Sequence, residues 1–63
     1  MTAFQNMGKY AALAMNRSDS ESYVREREAC HRAIQRLQDD DKLQARQEFD
    51  HAYRQYRSKN NET

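Results

Sequence analysis

The chain has no proline and no tryptophan, and only one glycine and one cysteine among its 63 residues. Each scarcity excludes something. A lone Cys30 cannot close an internal disulfide, which removes the disulfide-dense secreted class. A lone Gly8 leaves nothing from which to build a glycine-rich phosphate loop. Neither sign of charge dominates: 11 basic residues stand against 10 acidic ones, a net of +1, where a strongly basic nucleic-acid binder carries a clear excess. Long apolar runs are missing as well. The stretch from Tyr10 to Met15 is six residues long, far short of the roughly 20 that span a bilayer and too short for a signal-peptide core. A reducing cytoplasm, with Cys30 as a free thiol, is the expected compartment.

What is present is helical pattern. With no proline, punctuation falls to polar clusters, and two stand out at 16–20 and 38–42. They divide one small domain into three helical candidates and a tail. The second candidate covers 19–38, with Ser18 and Glu21 spaced as a capping box. Its stripe is Tyr23, Arg27, Cys30, Ile34 and Leu37, flanked by Val24 and Ala33. The third covers 42–57, with Asp41 and Gln44 as a second capping box and a stripe of Leu43, Arg46, Phe49, Tyr53 and Tyr56. Folded about position 40, the two stripes face one another as an antiparallel hairpin. Leu37 meets Leu43, Ile34 meets Arg46, Cys30 meets Phe49, and Val24 meets Tyr56. Arg27 would then lie over the Tyr53 ring as a cation–π pair. Residues 58–63 lack periodicity and read as a frayed tail.

The first segment, 1–15, reads either as a third helix or as an arm. Phe4, Met7, Ala11 and Ala14 share a face, while Gly8 weakens the helix by about 1 kcal/mol relative to alanine. Phe4, Met7 and Tyr10 fall outside the paired stripes and, with Tyr23 at the hairpin's open end, form the expected partner-binding surface. Removing 1–15 should then leave the hairpin folded.

A chain this small buries only about 60% of the surface its unfolded form exposes. Its 14 large apolar side chains are few for a two-helix hairpin standing alone. Homodimerisation into a helical bundle is therefore expected. Tyr23, Val24, Cys30, Ile34, Leu37, Leu43, Phe49, Tyr53 and Tyr56 would make up the core and the dimer seam.

Reactive chemistry is sparse. Cys30 and His31 are adjacent, so on a helix they point about 100° apart, and no paired zinc spacing joins them to His51. The expected metal and cofactor content is none. Cys30 on an inner stripe behaves as a small hydrophobe rather than a nucleophile. Asp39, Asp40 and Asp41 are explained as a helix start. No catalytic residue is expected, and the chain is not expected to be an enzyme. The alternative to protein binding is nucleic-acid binding through Arg25, Arg32, Arg36, Arg54 and Arg57, interleaved with tyrosines. Glu21, Glu28 and Asp50 stand four residues before Arg25, Arg32 and Arg54, so those faces also read as solvated ion pairs.

The opening MTAFQNMGKY and the stretch SYVREREACH at 22–31 resemble the 63-residue proteins of the exo–xis region of lambdoid bacteriophages, and the length agrees. The likeness spans the chain but rests on no chemical motif, so it assigns no residue a role. It implies an early protein in the bacterial host cytoplasm, a small regulator of lytic versus lysogenic development acting through host processes. The partner it implies is a bacterial host protein.

Overall fold

Residues 2–61 are described in a computed structural model, with side chains described through Arg57. They form three α-helices: α1 over Ala3–Asn16, α2 over Ser20–Gln35 and α3 over Asp39–Asn61. The fold is all-α as expected. The helix ends and the packing differ from the expected hairpin, and the reasons are local.

The first segment is a complete helix. Thr2 caps it: its hydroxyl accepts from the Gln5 N–H at 3.2 Å, and Gln5 Oε1 accepts from the Thr2 N–H at 3.0 Å. This reciprocal pair satisfies two donors that a helix start otherwise leaves open.

The first turn corrects the role expected of Ser18. Ser18 does not cap α2; it ends α1 in the left-handed region, at φ 59°. Its N–H bonds to the Met15 carbonyl at 3.0 Å, and the Asp19 N–H reaches back to the Ala14 carbonyl at 2.8 Å. That bond pair is a Schellman ending, whose left-handed residue is usually glycine. Serine bears a steric cost there of roughly 1–2 kcal/mol. Ser18→Gly should therefore raise unfolding stability by about 0.5–1 kcal/mol, since added chain entropy offsets part of the relief. Urea unfolding measures it, and a destabilised variant would contradict the left-handed ending.

Asp19 is the cap of α2. Its carboxylate accepts from the Ser22 hydroxyl at 2.7 Å and the Ser22 N–H at 3.1 Å. Those two bonds, helped by Arg17, hold its pKa below the ordinary carboxylate value. A lowered folded pKa means that the cap's contribution is present above the unfolded carboxylate pKa, near ~3.9. It is lost as pH falls through the lower folded value. Acid titration followed by NMR should find the Asp19 carboxyl below its ordinary value, and Asp19→Asn should flatten stability against pH in that window.

Helix α3 starts at Asp39, three residues before the expected position, so all three aspartates sit inside its first turn. There they face the positive end of the helix dipole. The Lys42 N–H already bonds to the Gln38 carbonyl at 2.8 Å. At the other end α3 continues through Asn61. The expected frayed tail is thus helical over 58–61, and residues 62 and 63 lie outside the described residues.

Helix α1 holds the bundle together. It packs along both α2 and α3, whereas those two touch each other least. The Thr2 hydroxyl donates to Glu48 at 3.2 Å, Gly8 lies against Phe49 and Ala52, and Asn16 bonds to the Tyr56 carbonyl at 3.4 Å and to Arg57 at 2.9 Å. The contacts advance together along both helices, so α1 and α3 run in the same direction. The approach is close because the residues are small. A side chain on Gly8 would meet the Phe49 carbonyl and come within 3.1 Å of the Ala52 Cβ. The glycine that weakens the isolated helix thus permits the crossing of two. The buried hydrophobic set is correspondingly small: Ala11, Ala12, Ala14, Ala45 and Ala52 with Cys30 and Ile34.

Candidate functional site

Because α1 covers one side of both other helices, their opposite side stays open. On α2 the residues 27, 30, 31 and 34 recur at helical spacing on one face, and on α3 the residues 42, 46, 49 and 50 do the same. Between these faces runs an open groove of about 480 Å³. Cys30, Ile34 and Phe49 form its floor, and Arg27, His31, Lys42, Arg46 and Asp50 stand along it. A shallower depression beside it, bounded by Val24 and Glu28, shares Arg27 and His31 with the groove.

Of the five pairs that the expected register opposes, two, Ile34 with Arg46 and Cys30 with Phe49, have both members in the lining of this groove; Leu37, Leu43, Val24, Tyr53 and Tyr56 do not line it. The floor is joined to the core. Cys30, Ile34 and Ala45 form a buried cluster on which Phe4, Met7, Leu37 and Phe49 pack. Burial pushes the Cys30 thiol above its ordinary pKa, and the Asp50 carboxylate adds to the rise. The thiol is thus held neutral, as suits an apolar floor.

The rim is electrostatically unbalanced. Arg25 pairs with Glu21 at 3.9 Å, Arg32 with Glu28 at 3.8 Å, and Arg17 with Asp19 at 3.7 Å. Arg27, Lys42 and Arg46 make no ion pair among the described residues. Three permanent cations therefore border an apolar floor with Asp50 as the one carboxylate among the groove's lining residues.

The expected site residues divide into several groups. Phe4 and Met7, expected on an exposed binding face, are half-buried and pack against the core cluster. The corrected reading is that they hold α1 in place, because α1 is a helix of the bundle and not a free arm. Tyr10 is 52% exposed, with Lys9 Nζ 5.9 Å from its ring centroid and 5.4 Å from that of Tyr56. Tyr23 is half-buried and meets Tyr53 at 5.9 Å, and Tyr53 lies nearly parallel to Phe49 at 6.4 Å. The ring partners of Tyr53 are thus aromatic, and Arg27, expected over that ring, borders the groove. Val24 and Leu43, expected in the core or a dimer seam, are 46% and 61% exposed on the single chain. The splay of α2 from α3 leaves them without a facing helix.

The arginines of the nucleic-acid alternative are not gathered into one unpaired surface. Arg25 and Arg32 hold carboxylates, Arg57 donates to Asn16, Arg36 caps the end of α2, and Arg54 is exposed on α3. Among the described residues no group of three His, Cys, Asp or Glu side chains is placed to hold a metal ion, and no helix is long and apolar enough to cross a membrane. Sequence reasoning missed the groove because it treated the two stripes as complementary surfaces. One signal was available: each stripe has an arginine in its middle, Arg27 and Arg46, and such side chains seek water. No protein-family model, curated protein or solved structure matches this chain.

Proposed function

We propose that this chain is a small, early regulatory protein of a lambdoid phage. It acts by contact with a bacterial host protein, in the host cytoplasm, to influence lytic versus lysogenic development, and it performs no catalysis of its own. The likeness of MTAFQNMGKY and SYVREREACH to the exo–xis proteins supports the setting. The mode of action rests on one observation, the open groove with an apolar floor and an unpaired cationic rim. The unpaired cations give a partner charges to meet, and Val24, 46% exposed in the adjoining depression, gives it an apolar contact.

The deciding experiment is affinity capture from bacterial lysate with and without nuclease. A host protein retained equally in both conditions supports the proposal. Capture that disappears with nuclease, together with a gel shift that weakens steeply with salt, would transfer the function to nucleic acid. A homodimer is part of the same proposal, because a second copy could cover the exposed Val24 and Leu43. Burial of Cys30, Ile34 and Ala45 does not itself require one, since α1 shields them within one chain. Sedimentation equilibrium at micromolar concentration separates one copy from two.

A further inference from the structure

We infer that the groove between α2 and α3 receives an acidic amphipathic helix of the partner, which specifies the protein-contact reading above and rests on it. Shape comes first. Half-buried Phe49 lies over the buried Cys30 and Ile34 on the floor, and the exposed Val24 stands on the same face of α2 beyond Arg27, in the adjoining depression. From Val24 to Ile34 the α2 backbone rises about 15 Å, or close to three turns. An occupant that fills such a trough between two helices presents apolar residues at i, i+3 or i+4, and i+7, the pattern of helix-in-groove recognition.

Charge selects the flanks of that helix. Arg27, Lys42 and Arg46 stand along the groove without carboxylate partners among the described residues; Asp50 is the one carboxylate lining the groove, and Glu28, in the adjoining depression, is paired with Arg32. Glutamates or aspartates beside the occupant's apolar stripe would meet them, which fixes orientation and speeds association. Nucleic acid suits the groove less well, because its phosphates would gain the cations but cover a floor of thiol, aliphatic and aromatic groups. A second copy suits it less well too. Helix α1 contains no acidic residue, and a two-fold pairing of groove on groove would set Arg27, Lys42 and Arg46 against their own counterparts.

The test is fluorescence anisotropy on the full chain, with a labelled three-turn peptide bearing leucines at i, i+3, i+4 and i+7 and glutamates beside them. The comparison probes are the same peptide with lysines in place of the glutamates, and a short DNA duplex. The glutamate peptide should bind at least about tenfold more tightly than the lysine peptide, and the duplex should not compete. The double variant Lys42→Glu, Arg46→Glu should lose that preference, while Asp50→Asn should strengthen binding. These side chains lie outside the buried core, and circular dichroism checks that the helices persist. Equal binding of both peptides, or no response to either variant, overturns the inference, as does stronger binding of the duplex. So does a dimer that the glutamate peptide fails to dissociate. If nuclease-resistant capture from lysate persists while the peptide test fails, only the acidic-helix assignment falls; if capture itself fails, the protein-contact reading falls with it.

Discussion

Deleting residues 2–16 should abolish cooperative folding, leaving a chain with low helix content and no urea transition. The reason is the division of contacts. Helix α1 packs on both α2 and α3, and the latter two touch each other least. Removing α1 uncovers Ala45, Ala52, Cys30 and Ile34 together and takes away Phe4 and Met7, which pack against the Cys30 cluster. A domain of this length has roughly 3–9 kcal/mol of net stability. Loss of even one large core side chain costs about 2–5 kcal/mol, so loss of a whole packed helix exceeds the reserve. Circular dichroism and urea titration read the outcome. A truncated chain that still melts cooperatively would restore the expectation that the hairpin stays folded without residues 1–15.

Gly8→Val carries the second large effect, an expected loss of about 2–3 kcal/mol or more. A Cβ at position 8 meets the Phe49 carbonyl, which is helix backbone and cannot rotate aside, and it crowds the Ala52 Cβ at 3.1 Å. Either α1 lifts away from α3 or both helices bend. Overpacking of this kind typically costs 1–3 kcal/mol, and a β-branched side chain adds restriction within the helix itself. Gly8→Ala is the informative control. Alanine gains up to about 1 kcal/mol in helix propensity against the same backbone collision, so it should be destabilising by less than valine. An alanine variant more stable than the parent would mean that the two helices do not cross at this point. Urea midpoints at unchanged slope report both comparisons.

Helical character was legible in the sequence because it depends on local rules. Proline is missing throughout, and the apolar spacing is 3 and 4. Of the expected facing residues, Cys30, Ile34, Arg46 and Phe49 share the lining of one groove, and the others do not join them there. Separation was not legible, because stripe matching says which faces oppose and nothing about what wedges them apart. The wedge is α1, and its signature is glycine and alanine at 8, 11, 12 and 14. Small residues lower a hydrophobic score while permitting the closest helix approach, so the same residues that make a segment read as a doubtful arm can make it the centre of the bundle. Ser18 misled for a related reason. Ser-x-x-Glu fits a helix start, and only the geometry shows serine taking the left-handed position that glycine usually holds.

The alanine-lined crossing also bears on how the protein responds to temperature. Among the described residues no large side chain is fully buried, so unfolding hydrates comparatively little new apolar area. The heat-capacity increment should then lie at or below the low end for a chain of 63 residues, about 0.8 kcal/mol/K. A small increment gives a shallow stability dome. Calorimetry should accordingly record a broad, low-enthalpy endotherm, with the folded population changing gradually with temperature.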